Sequence, residues 1–153
     1  MKKIHTFFIL FILAFSSPIL ACDCDPMLSI KESVEDADMV IHGKILKATL
    51  NKLFSKTGKT DASTSINEYE VLVVKKYKGA FKTDTIIVRT TASDCGIVFE
   101  ENSEVFFYAY KAGKSTDFYS SSKLPLFWTW NCSRTDEFTK KEEEDLEKAM
   151  RSR

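Results

Sequence analysis

The 153 residues carry 22 Lys and Arg against 22 Asp and Glu, a formal net charge of zero that argues against nucleic acid or another polyanion as partner. With 44% hydrophobic residues, 5 glycines and 3 prolines, the composition is that of one folded domain, not a low-complexity or fibrous chain.

The chain opens with Lys2 and Lys3, runs through the apolar stretch Phe7 to Phe15, loosens at Ser16, Ser17 and Pro18, and reaches Ile19-Leu20-Ala21. A basic start, an apolar centre and a small residue before a cleavage point define a secretory signal peptide over residues 1–21. The apolar run is too short for a membrane span and no second one follows. Cleavage leaves 132 residues (153 minus 21), a single domain over residues 22–153, in a secreted or periplasmic monomer. A small residue before Cys22 is also half of a bacterial lipoprotein signal, so lipid anchoring through Cys22 is the alternative. It would use the Cys22 sulfur and leave three cysteines.

Residues 21–26 read Ala-Cys-Asp-Cys-Asp-Pro. In an oxidising compartment the four cysteines Cys22, Cys24, Cys95 and Cys132 read as two disulfides, for which the sequence alone allows three connectivities. A metal site is a weak reading of the doublet, because Cys22-x-Cys24 lacks knuckle spacing and His42 is the one imidazole after cleavage. The same poverty of histidine, with oxidised cysteines, leaves no Ser/His/Asp or Cys/His set and argues against an enzyme.

Ser29-x-x-Glu32 is a capping-box pattern, and Ile30, Val34 and Ala37 share one helical face, which predicts a short N-terminal helix. Strands are predicted over 39–46, 68–77, 84–90, 104–110 and 124–132. The polar stretch 51–65 is expected to form a hairpin tip or loop, and the Gly/Ser-rich 113–122 separates the last two strands. A second capping-box pattern, Thr139-x-x-Glu142, opens a charged helix over 139–151 anchored by Leu146 and Met150. The expectation is a mainly β fold: a small five-strand barrel with a short N-terminal and a C-terminal helix. The aromatics Phe106, Phe107, Tyr108, Tyr110, Phe127, Trp128 and Trp130 read as half core and half surface more readily than as a stacking platform. Lys75, Lys76 and Lys78 read as solvated protection of a strand end.

Cys-Asp-Cys-Asp-Pro at 22–26, Asp-Met-Val-Ile-His-Gly-Lys-Ile at 38–45, Tyr-Glu-x-x-x-x-Lys-x-Tyr-Lys-Gly at 69–79, Ser-Asp-Cys-Gly at 93–96 and Asn-Cys-Ser at 131–133 occur in a telling order and spacing. Together they resemble the N-terminal, netrin-like domain of tissue inhibitors of metalloproteinases, over almost the whole chain from Cys22 to Cys132. The resemblance implies an OB-like five-stranded β-barrel with disulfides Cys22–Cys95 and Cys24–Cys132. It further implies that the α-amino nitrogen and carbonyl oxygen of Cys22 chelate the catalytic zinc of a target metalloprotease. Residues Asp23, Cys24, Asp25 and Pro26 would then run along the protease cleft, with Ala92, Ser93, Asp94 and Cys95 as the neighbouring ridge. The zinc belongs to the target, and no cofactor is expected in the isolated chain.

Asp23 departs from the family, which places a small or hydroxylated residue there, at the mouth of the main specificity pocket. A carboxylate in an apolar pocket costs several kcal/mol unless it meets a cation. The family's third disulfide in this domain has no counterpart, and the short charged helix stands where the family has a separate C-terminal domain. The rival reading is therefore a netrin-like binding or adhesion module that keeps the scaffold without inhibition.

Overall fold

The computed structural model describes residue 24 and residues 26–54, 64–93, 95–111 and 122–152. The expected signal peptide, Cys22, Asp23, Asp25 and Asp94 lie outside the described residues, as do 55–63 and most of the 113–122 separator. The elements in order are α1 (Ile30–Asp36), β1 (Met39–Phe54), β2 (Thr64–Lys78), β3 (Thr85–Thr91), β4 (Glu104–Lys111) and β5 (Leu126–Trp128). A 3-10 turn (Asn131–Ser133), β6 (Asp136–Glu137) and α2 (Lys140–Arg151) follow.

The sheet runs β1-β2-β3-β5-β4-β6, and β1 also pairs with β4, from Met39 opposite Ala109 to Lys44 opposite Glu104. The first five strands therefore form a ring, with β6 added outside β4, which matches the OB-like expectation. All pairings are antiparallel except β3 with β5. β1 can serve two neighbours because its register against β2 shifts at four places, which bends a 16-residue strand around a narrow ring. Gly43 sits in that bend, where a Cβ would stand 2.4 Å from the Val71 side chain.

Two cores result. Inside the ring, Met39, Ile41, Ile45, Val71, Phe107 and their neighbours pack with Phe81 and Phe99. Outside it, Val40, Phe106 and Tyr108 face Val34 and Ala37, with Leu146 of α2 completing the cluster. β1 and β4 thus bury both faces locally, which is why 39–41 and 105–109 read as continuous apolar runs rather than alternations.

α1 begins as the sequence predicts: Ser29 accepts from the Glu32 N–H while the Glu32 carboxylate accepts from the Ser29 N–H. Lys78 closes its other end by donating to the carbonyls of Val34 and Glu35 at 2.8 and 2.9 Å. The basic run is thus anchored rather than merely solvated: Lys75 pairs with Glu143 and Glu147 of α2, and Lys76 donates to the Phe81 carbonyl. The expected half-core, half-surface split of the aromatics holds, with Phe106, Phe107, Tyr108 and Phe127 buried, Tyr110 and Trp128 half-buried, and Trp130 exposed.

Two boundaries differ from expectation. β1 and β2 extend to 54 and from 64, into the stretch expected as loop, because cross-strand pairs such as Lys52 with Ile66 continue the hairpin. The strand expected over 124–132 is only Leu126–Trp128, since Thr129 turns its hydroxyl inward and the chain coils into the 3-10 turn.

Candidate functional site

The described parts of the two segments singled out in the sequence, Cys24 with Pro26 and Ala92–Ser93 with Cys95, meet at one turn. Cys24 is bonded to Cys132 within the 3-10 turn, with Cα atoms 5.4 Å apart and 108 residues between them in sequence. One residue earlier, the Asn131 N–H donates to the Cys95 carbonyl at 3.3 Å. Cys95 is itself disulfide-bonded, and none of the described cysteines is free. Two residues beyond Cys132, the Arg134 guanidinium donates to the Leu28 carbonyl at 3.2 Å. Residues 131–134 therefore hold the N-terminal segment at two points and the 92–96 segment at a third.

The turn is held from beneath by hydroxyls. Thr129, Ser133 and Thr135, all buried, bond one another, with Thr129 Oγ1 2.6 Å from both Ser133 Oγ and Thr135 Oγ1. The Tyr108 carbonyl of β4 lies 3.1 Å from Thr129 Oγ1 and 3.0 Å from Thr135 Oγ1 and accepts from the threonine that does not donate to the other, while Thr135 accepts from the Tyr108 N–H. A closed set of donors and acceptors leaves these buried groups satisfied and the turn rigidly seated on the ring.

Arg134 adopts φ 64°, the left-handed region uncommon for residues other than glycine and asparagine. Its fork closes on Glu142, Nε to Oε1 at 2.8 Å and Nη2 to Oε2 at 3.0 Å. The bond to Glu142 raises the guanidinium pKa further above its ordinary value. Tyr108 adds a third bond to Glu142, and burial together with that carboxylate pushes its phenol well up. Glu142 is thus spent on Arg134 and Tyr108. Of the capping box expected at 139–142, the Glu142 N–H to Thr139 bond is present, and the carboxylate faces elsewhere.

The 92–99 segment is tied down in parallel. The Ala92 N–H donates to the Ser65 carbonyl at 3.1 Å and the Gly96 N–H to the Ser93 carbonyl at 2.7 Å. Tyr69, buried in the ring, donates to the Ile97 carbonyl and accepts from the Phe99 N–H. Pro26, Ser93 and the apolar Met27, Leu28 and Val98 are exposed, with Val98 64% accessible. Among the described residues no three His, Cys, Asp or Glu side chains gather to hold a metal. None of the described helices is long and apolar enough to cross a membrane.

Sequence reasoning found the cysteines, the Asn-Cys-Ser motif at 131–133 and Glu142 as a cap, but missed Arg134, its pairing with Glu142, the Asn131 bond to Cys95 and the Thr129–Ser133–Thr135 cluster. Three hydroxyl residues within seven positions around a cysteine were a visible signal. Nothing local marked Arg134, whose role depends on a helix and a carbonyl that are distant in sequence.

A sequence model of the family described as tissue inhibitor of metalloproteinase matches residues 20–122, two thirds of the chain. No curated protein matches. The matched span covers the N-terminal segment, β1 to β4 and the 92–96 segment, and stops before the turn at 131–134 and α2.

Proposed function

The chain belongs to the tissue inhibitor of metalloproteinase family, and from that premise we propose that it is a secreted, zinc-directed protease inhibitor that acts through its N-terminus. After removal of residues 1–21, the α-amine and carbonyl oxygen of Cys22 chelate the target's catalytic zinc and displace its water. An α-amino group with a reference pKa of about 7.7–8.0 deprotonates readily beside a dication. Asp23 to Pro26 then lie along the cleft, and Ala92 to Cys95 form the adjoining ridge. Cys22 pairs with Cys95 in this reading.

The observation that carries the proposal is the convergence of Cys24, Cys95 and Cys132 on one turn, with the flanking segments exposed. A chain start fixed in this way loses little entropy on docking, which is what preorganisation contributes to affinity. The exposed Met27, Leu28 and Val98 supply apolar contact along the same two segments.

The test is a pair of variants assayed against a panel of zinc proteases, with folding checked by circular dichroism. An alanine added before Cys22 moves the amine off its position and abolishes inhibition. Asp23→Thr improves binding to a protease with an apolar pocket more than about tenfold, if half of the several-kcal/mol desolvation cost is recovered. If the extended protein inhibits as well as the original, chelation by Cys22 is wrong and inhibition runs through the barrel surface; if neither form inhibits any protease of the panel, the netrin-like binding-module reading takes its place. Mass spectrometry of the mature N-terminus decides the lipid alternative, because an acylated Cys22 amine cannot chelate.

A further inference from the structure

We propose that Arg134 is a positioning residue for the N-terminal segment: locked by Glu142 of α2, it holds the Leu28 carbonyl and so fixes the direction in which residues 24–28 leave the barrel. The proposal rests on the inhibitory reading for its consequence, but its geometry stands apart from it.

Four observations meet at this residue. First, Cys24 is fixed to Cys132 and Leu28 to Arg134, so both ends of a five-residue segment are attached to one turn. Ser33 adds only a longer bond to the same carbonyl, at 3.4 Å. Second, the donor is itself immobilised by a two-point bond to Glu142, so little rotamer freedom remains to blur the contact. Third, the backbone at 134 is left-handed, a conformation arginine adopts at a cost. Fourth, Met27 and Leu28 are exposed, so no packed side chain does the work of the Leu28 bond.

The consequence reaches α2. Glu142 in its first turn is the residue that orients Arg134. The helix is thereby coupled to the N-terminal segment through Arg134 and Glu142, both of which lie beyond the span matched by the family. Loosening Arg134 leaves the ring and its two cores intact and releases the segment, which must then be ordered at the moment of docking.

The experiment uses the full secreted chain and two variants of Arg134. Asparagine accepts the left-handed backbone and is too short to reach Leu28 or Glu142, whereas lysine keeps the charge and the reach without the fork. Backbone nitrogen-15 order parameters at Met27 and Leu28 fall from a rigid value of about 0.85 to below about 0.6 in Arg134→Asn, while those of Phe107 in β4 stay fixed. Arg134→Lys recovers part of the order. Inhibition constants against whichever zinc protease the unaltered chain inhibits rise about tenfold in Arg134→Asn and less in Arg134→Lys.

Unchanged order parameters overturn the proposal, and so does a mobile segment with an unchanged inhibition constant. If Arg134→Asn unfolds, Glu142→Gln decides instead. That variant keeps the backbone bond to Thr139 and removes the charge that holds Arg134, so the same segment must loosen. A chain that inhibits no protease of the panel defeats the chelation reading alone, and the order parameters still decide the clamp.

Discussion

Gly96 is a glycine because of its neighbour's backbone. A Cβ there would lie 1.7 Å from the Thr91 carbonyl oxygen and 2.9 Å from its carbon, atoms that cannot rotate aside. Gly96→Ala is therefore expected to push the 92–96 segment away from Asn131 and to cost about 1–3 kcal/mol, the usual range for overpacking. Denaturant unfolding measures it, and a loss under about 0.5 kcal/mol would show that the segment yields. Glu68 poses a different problem, as it lies between Lys52 at 2.5 Å and the buried Arg89 at 2.5 Å. Burial pushes its carboxyl up, but the bonds to Lys52 and Arg89 outweigh that and hold it below the ordinary glutamate value. A carboxyl more acidic in the folded chain stabilises above its unfolded pKa of about 4.3, and that contribution drains away as pH falls through the folded value. Glu68→Gln should thus be less stable than the parent at pH 7, with the gap closing toward pH 3. A gap independent of pH in paired denaturation curves would contradict this. Neither role was legible in the sequence: Glu68 and Arg89 are recognisable as strand residues, but that they stand opposite each other is a matter of register.

At the scale of elements, the legible features were those encoded within a few residues. The α1 cap and its buried face of Val34 and Ala37, the β1 to β4 strands and the stripe of α2 at Leu146 all come from local pattern. What local pattern could not supply was competition for a group. Glu142 fits a capping box by spacing, yet Arg134 and Tyr108 offer its carboxylate a better-paired place. The strand at 126–128 stops early because buried hydroxyls at 129, 133 and 135 satisfy one another better in a turn than in a ladder. Lys78 shows the same principle, since its ammonium closes α1 from the far end of β2. Lys78→Met keeps the apolar stem and removes both bonds to α1. It should cost about 1 kcal/mol, the scale of a cation at a helix C-terminus. Amide exchange in α1 should quicken while β4 stays protected. Equal acceleration in both would mean that α1 and the ring unfold as one unit, against the view that Lys78 acts locally.

For the whole molecule, the question is how a ring of short ladders holds a precise chain start at its edge. The β1–β4 pairing joins residues 39–44 to 104–109 and closes the ring without any cysteine. The inner core is packed around that closure. The Cys24–Cys132 bridge does a separate job, since neither cysteine lies in a strand of the ring. Its effect on stability comes mainly through the unfolded chain: a bridge across 108 residues removes loop-closure freedom worth about 5 kcal/mol in the chain-entropy model. Set against a domain stability of about 5–15 kcal/mol, that is a large fraction. The double variant Cys24→Ser with Cys132→Ser should therefore retain the β-rich circular dichroism of the parent in the cold and melt many degrees lower. Its N-terminal segment should also lose order at Met27, because of the two ties to the 131–134 turn only the Arg134 bond to Leu28 then remains. A variant that melts within a few degrees of the parent would show that the unfolded chain is already compact around this turn, and that the bridge serves the geometry of the N-terminus rather than the stability of the barrel.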